Sequence, residues 1–214
     1  HICVYLRTRL ALRRRTPRIP NLDMPTPAIQ EHDAEQDLIA QVNDARGSGS
    51  PRIIRGNGTK DFYGNPPRAD RMLDCSGHRG IVAYEPTELA ITVRAGTPLA
   101  DVEALLAENG QQFPFEPPGF AVTAADGTTK GATIGGMVAA GLSGPRRPYA
   151  ASVRDAVLGV RLLNGQGQAL DFGGRVMKNV AGYDVSRLMA GSLGVLGVLL
   201  TVSLKVAPVP VGRM

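Results

Sequence analysis

The chain has 214 residues, 24 Lys+Arg against 19 Asp+Glu, and a composition that is 43% hydrophobic and 5% aromatic, which fits one or two ordinary folded domains. Its 26 Gly and 16 Pro are too many for a helical bundle and follow no Gly-X-Y period, so coiled-coil and collagen-like readings fall away and a loop-rich α+β or α/β protein remains. The formal charge of +5 raises nucleic acid as a partner, but residues 1–23 hold six Arg (Arg7, Arg9, Arg13, Arg14, Arg15, Arg18) against Asp23, and the other 18 bases and 18 acids cancel. A neutral body with a basic head predicts no nucleic-acid role.

In that head the arginines follow the short apolar run Ile2–Leu6, the reverse of a secretory signal, and the Ser enrichment of a mitochondrial presequence is missing. Residues 1–32 are therefore expected to be a basic extension, disordered or non-native, with translation starting at Met24. Cys3 and Cys75 have no CxxC or His spacing, which argues against a disulfide framework or a zinc site. No apolar run reaches the roughly 18 residues of a membrane span, and a cytoplasmic location is expected.

The segment 33–46 places Leu38, Ile39, Val42 and Ala45 on one helical face, with Asp33 and Gln36 at capping-box spacing. A short strand, Arg52 to Arg55, breaks into Gly56-Asn57-Gly58-Thr59-Lys60. Residues 72–75, 81–84 and 89–95 read as three strands. Thr97-Pro98 opens a helix with Leu99, Val102, Leu105 and Leu106 on its apolar face, and Gly110 stops it. Residues 156–163 and 168–172 read as a hairpin around a Gly-rich turn, a short helix follows near Asp184 to Met189, and 194–206 closes as a half-buried strand. The order is mixed α+β, not alternating βαβ.

Gly131 to Gly197 holds 14 of the 26 glycines among apolar residues, so glycine there is structural or faces a ligand rather than forming a linker. Three Gly-rich segments stand out, because glycine lets backbone amides approach an anion. Arg55 to Lys60 could form a phosphate nest, with Thr59 adding a hydroxyl and Arg55 and Lys60 adding charge, though an ordinary turn would look the same. It is neither a Walker loop nor GxGxxG. Gly131 to Gly144 would let a flat ligand lie on backbone, Thr133 capping a short helix, or would serve tight packing. Gly191 to Gly197 could equally be a bend before a strand. His78 reads as a surface or turn residue. No nucleophile or acid/base constellation is visible, so any chemistry would belong to a cofactor.

Taken together and in order, RIIRGNGTK, EPTELAITVRAGTPLADVEALLAENGQQFPFEPP, GATIGGMVAAGLSGPRRPYAASVRDAVLGVRLLNGQG and GGRVMKNVAGYDVSRLMAGSLGVLGVLLTVSLKV resemble the FAD-binding domain of the vanillyl-alcohol oxidase/PCMH flavoprotein superfamily. Within it the chain is similar to the FAD-binding E-type subunits of glycolate oxidase (glycolate dehydrogenase), GPRRP and MKNVAGYD favouring these over the D-type partner. The resemblance spans about Asp33 to Val206. It implies a PCMH-type fold of two α+β subdomains with FAD between them. By position it makes Arg55, Gly56, Asn57, Gly58, Thr59 and Lys60 the pyrophosphate loop, sets Thr133, Ile134, Gly135, Gly136 and Gly141 along the flavin and ribityl chain, puts Pro118 and Gly119 near the ring, and gives Val198 backbone contacts to the cofactor. Relatives with covalent FAD often carry a His just after the loop; here Thr59-Lys60-Asp61 follows, so non-covalent FAD is expected. Catalytic residues stay unknown.

The implied function is the FAD-binding subunit of a complex that oxidises glycolate, a small 2-hydroxy acid, to glyoxylate, with a D-type flavoprotein subunit and an iron–sulfur subunit as partners. Relatives continue into a C-terminal substrate or cap domain. Residues 33–208 are thus expected to be the FAD-binding domain and 209–214 a tail. A D-lactate-type dehydrogenase, more distantly an NADPH-dependent enolpyruvyl-sugar reductase, and a flavin-less scaffold subunit are the competing readings.

Overall fold

The computed structural model describes residues 29–65, 68–174, 182–210 and 212; the head 1–28, Cys3 and most of MKNVAGYD lie outside them. Its elements run α1 (Glu35–Ser48), β1 (Arg52–Arg55), β2 (Arg71–Asp74), β3 (Ile81–Glu85), a 3-10 turn (Pro86–Glu88), β4 (Ala90–Arg94), α2 (Leu99–Glu108), β5 (Gln111–Gln112), β6 (Ala121–Thr123), β7 (Thr129–Gly131), α3 (Ile134–Ala140), α4 (Val153–Ala156), β8 (Val157–Leu163), β9 (Ala169–Gly173), α5 (Val185–Leu188), β10 (Val198–Lys205) and β11 (Ala207–Pro208). The α+β expectation holds.

The central sheet has five antiparallel strands in the order β3-β4-β10-β8-β9. β10 lies in the middle because its residues are apolar enough to be buried on both sides: only Thr201 and Lys205 of its eight residues escape full burial. On one face Ile91, Val93, Val202 and Leu204 meet Leu99, Val102 and Leu106 of α2 and Ile134, Met137 and Val138 of α3 in the larger core. On the other face Thr92 and Ser203 are both buried and share a hydrogen bond of 2.8 Å.

β1 and β2 pair in parallel and form a sheet of their own. With α1 they close a second, smaller core of Leu38, Leu73, Cys75, Leu163, Val198 and Leu200. A buried leucine contributes about 2 kcal/mol through area removed from water, so Leu38 and Leu73, both 1% exposed, anchor this unit. β10 supplies residues to both cores, and the seam between the two α+β units therefore runs along its start.

Several local expectations shift under tertiary contacts. α1 begins at Glu35 with Ala34 at its cap and no side-chain cap. Asp33 instead accepts from the Glu35 amide (3.0 Å) and reaches Arg94 (3.3 Å), which draws it away from a capping box. α2 starts at Leu99 with Pro98 as its cap, because the Thr97 hydroxyl is buried between strands, accepting from the Gly80 amide (2.9 Å) and donating to Arg94 O (2.7 Å). His78 is a turn residue but not a surface one. It is 1% exposed, its Nδ1 accepts from the Ala34 amide at 3.1 Å, and burial pulls its pKa down while Asp33 opposes the shift. The last strand starts at Val198 rather than 194, since Gly194 (φ 80°) and Gly197 (φ 146°) cannot continue an extended strand.

Candidate functional site

β1 ends at Arg55, and the backbone turns through Gly58, which holds φ at 72°. Among the described residues, the amides of Gly56, Asn57, Gly58, Thr59 and Lys60 have no intramolecular acceptor. Consecutive unpaired amides in a turn make a concave, partly positive surface suited to an anion. Arg55 is ion-paired with Asp61 across the turn. Lys60 has no carboxylate partner among the described residues: its Nζ lies 3.4 Å from Thr59 Oγ1 and 5.9 Å from the centroid of the Phe120 ring. Burial draws its pKa below the usual lysine value. A half-buried cation without a counter-charge, beside free amides, is a site short of negative charge.

The second glycine segment behaves differently. Thr133 caps α3, accepting from the Gly136 amide at 3.2 Å. The Ile134 amide donates to Thr97 O (2.9 Å) and the Gly135 amide to Ala95 O (2.7 Å). The first turn of α3 thus spends its amides internally. Its glycines serve close approach instead: a Cβ on Gly135 would come within 2.7 Å of Ala95 Cβ, and one on Gly56 within 2.6 Å of Thr133 Oγ1. Ile134 is wholly buried in the larger core. Gly141, at φ 65°, ends α3 and meets Gly191 at its far end, where a Cβ would lie 3.0 Å from the Gly191 backbone.

The third segment closes the site. The Leu193 amide donates to Ala139 O at 2.9 Å, and Leu193 sits at φ 51°, a left-handed conformation that costs a non-glycine residue about 1–3 kcal/mol and recurs at ligand sites. A narrow cleft of about 80 Å³ lies where the three segments converge, walled by Arg55 and Gly56, by Thr133, Gly135 and Gly136, and by Ser192 to Gly194 and Gly197 to Leu199. Two buried polar atoms at this wall, Arg55 Nε and Ser192 Oγ, have no partner among the described residues, which implies a ligand or solvent partner. Free amides, an uncompensated lysine, glycine walls and orphaned polar atoms together fit a flat ligand carrying phosphates.

Of the residues singled out in the sequence, Arg55, Gly56, Thr133, Gly135, Gly136 and Val198 wall the cleft, and Asn57, Gly58, Thr59 and Lys60 continue from its edge. Pro118 and Gly119 do not wall it, although the adjoining Phe120 packs on Phe62 at 5.3 Å. Ser192, Leu193, Gly194 and Gly197 were not assigned to a ligand from sequence, nor was Cys75, whose buried thiol is pushed up to about 12 by desolvation. The only signal for the former was glycine density. A larger depression of about 360 Å³ on the polar face of the sheet is lined by Asp33, Glu35, Arg94, Arg161 and Asp171. Its charges are paired with one another, Arg161 binding both Glu35 (2.8 Å) and Asp171 (2.5 Å) and Arg94 reaching Asp33 (3.3 Å), so it lacks the unmet demand of the cleft.

The fold and cleft define a nucleotide-cofactor domain, and the comparisons give its class: the FAD binding domain family matches residues 27–173, and the chain belongs to that family. It is 53% identical over 182 residues to the glycolate oxidase subunit GlcE of Escherichia coli (strain K12), covering 85% of this chain and 49% of that protein. It is 29% identical over 161 residues to the glycolate oxidase subunit GlcD of Bacillus subtilis (strain 168), covering 75% and 32%. The solved structure of an alkyldihydroxyacetonephosphate synthase superposes with a TM-score of 0.63 at 19% identity, over 83% of this chain and 31% of that one, which bears on fold alone. The chain thus spans about half the length of the E. coli relative and about a third of the other two. Among the described residues, no helix is long and apolar enough to cross a membrane, and no cluster of three or more metal-ligating side chains occurs.

Proposed function

We propose that this chain binds FAD non-covalently in the cleft and serves as the FAD-binding part of a cytoplasmic glycolate dehydrogenase, taking part in the oxidation of glycolate to glyoxylate. The observation that carries the reading is the convergence of three glycine segments on one cleft, beside a loop that, among the described residues, leaves five amides without an acceptor and Lys60 without a carboxylate partner. Bound FAD would supply the two-electron acceptor for a CH–OH group. The residues of this chain hold it: the amides of 56–60 and Lys60 take the pyrophosphate, Gly135 and Gly136, seated tightly against Ala95 and Thr133, form the wall beside the flat portions, and Val198 with its neighbours closes the far wall. Cys75, the cleft's one thiol, is held protonated and so is a poor nucleophile for a covalent flavin link.

Among the described residues, no carboxylate or histidine lines the cleft. The base that takes the substrate hydroxyl proton therefore comes from polypeptide beyond this wall, which agrees with a role inside a multi-subunit assembly. A D-type flavoprotein subunit and an iron–sulfur subunit are its proposed partners, and association with the inner membrane would run through them. Residues 33–208 form the proposed FAD unit, with 1–32 as an extension whose last residue, His32, pairs with Arg79, and 209–214 as a tail.

Reconstitution tests this directly. The purified chain mixed with FAD and gel-filtered should retain flavin absorbance, and the acid-precipitated protein should release it. With both partners present, glycolate should bleach the flavin faster than D-lactate does. Absence of retained flavin would reduce the chain to a scaffold, and preference for D-lactate would move it to the other dehydrogenase class.

A further inference from the structure

β6 and β7 form a hairpin that places no residue in either core. All but Val122 of its strand residues are exposed, and a two-stranded hairpin by itself is marginal in water. Both of its feet are nonetheless gripped. At the first, the Phe120 ring meets Phe62 edge-on, with centroids 5.3 Å apart and planes at 77°, while Lys60 lies over its face. At the second, Gly131 O accepts from Asn57 Nδ2 at 2.9 Å.

Both grips land on one stretch, residues 57–62, which contains four of the five free amides. The other ion pair and backbone hydrogen bonds of that stretch among the described residues are local: the Arg55–Asp61 pair and the turn bonds from the Asp61 amide to Gly58 O (3.3 Å) and from the Tyr63 amide to Lys60 O (2.9 Å). None of these fixes the loop against the body that carries α3. The Asn57 and Phe120 contacts do, because the hairpin runs into Thr133 and α3.

We propose that Asn57 and Phe120 are positioning residues: through them the hairpin braces the loop so that its amides converge before ligand arrives, and the brace sets how long a dinucleotide stays bound. The proposal rests on the pyrophosphate reading of the loop. Asn57, assigned from sequence to the cofactor, then acts through its side chain on Gly131 and offers the ligand only its amide. An unbraced loop must be ordered at the moment of binding, and that cost appears as lost affinity. The effect belongs to the phosphates, so ADP, which carries the pyrophosphate without the flavin, is subject to it as well.

The test uses the full chain with Asn57→Ala, Phe120→Ala and Phe120→Tyr, measuring dissociation constants and off-rates for FAD and ADP together with the melting temperature of the ligand-free protein. Asn57→Ala and Phe120→Ala should each weaken both ligands by about five-fold, the scale of one lost contact, mainly through faster dissociation and with little change in melting. Phe120→Tyr, which keeps the ring, should restore wild-type values. Unchanged affinity in the alanine variants overturns the proposal, as does a loss that follows the melting temperature and is not rescued by tyrosine. If Phe120→Ala fails to fold, Asn57→Ala carries the same test. A wild-type chain that binds neither FAD nor ADP overturns the pyrophosphate reading itself, a result distinct from failure of the brace alone.

Discussion

The loop at 56–60 and the start of α3 at 133–136 are both glycine-rich and both border the cleft, yet they use glycine for opposite ends. Among the described residues, the loop's amides have no acceptor and Lys60 has no counter-charge. The helix start satisfies its amides on Thr97, Ala95 and Thr133 and uses the missing side chains to press against Ala95 and Gly56. One region is prepared for an anion, and the other lets two units of the fold meet closely. Glycine content alone does not distinguish them; where each amide proton goes does.

Substitutions should separate the two regions. The largest stability effect is expected for Gly135→Ala, because the added methyl would sit 2.7 Å from Ala95 Cβ and 3.0 Å from Ala95 O, and backbone cannot yield easily. Overpacking of this kind costs about 1–3 kcal/mol, visible as a drop in thermal or urea midpoint before any ligand is added. If Gly135→Ala melts like the wild type, the packing account of α3 is wrong.

Lys60→Ala should do the reverse, leaving the ligand-free protein as stable as before while weakening FAD and ADP by about 2 kcal/mol, the scale of a hydrogen bond to a charged group. It should also remove a pH effect. A bound pyrophosphate favours charged Lys60, so affinity is full while the free protein keeps Lys60 protonated and declines as pH rises through its lowered pKa, below the ordinary 10.5. A titration of FAD affinity that is flat across the alkaline range in the wild type would remove Lys60 from the site.

Gly58→Ala comes next. At φ 72° alanine is strained by about 1–2 kcal/mol, and its methyl would press on the Arg55 guanidinium, the movable end of a side chain. The turn should relax and scatter its amides, so affinity should fall more than stability does; equal losses in both would make the loop an ordinary turn. The smallest effect is expected for Cys75→Ala, which removes a buried sulfur worth about 1 kcal/mol. It should leave the flavin acid-releasable as in the wild type. Flavin that stays with the precipitated wild-type protein but not with the variant would identify Cys75 as a covalent anchor.

Much of this was legible along the chain. The strands at 52–55, 81–85 and 157–163, the apolar face of α2 and the Thr133 cap follow from periodicity and local chemistry, which depend on neighbours within a few residues. Asp33 was misjudged because the helix begins later, with Ala34 at its cap, leaving the carboxylate to the Glu35 amide and to Arg94, 61 residues away. The burial of His78 was missed because nothing in SGHRG shows that Ala34 and Asp33 will close over it. The third wall of the cleft was hidden for the same reason: Ser192 to Gly197 acquires meaning only when Ala139 takes the Leu193 amide.

By itself the sequence determined where the chain could turn, which faces were apolar and which loop had the composition of an anion nest, because these depend on residue chemistry and short-range spacing. Tertiary structure decided the parallel pairing of β1 with β2, the burial of His78, and above all which backbone amides were already engaged when the fold was complete. An amide is available to a ligand only if no carbonyl elsewhere in the chain has reached it. That depends on contacts between distant residues, so only the folded arrangement could show that the loop at 56–60 keeps its donors and α3 does not.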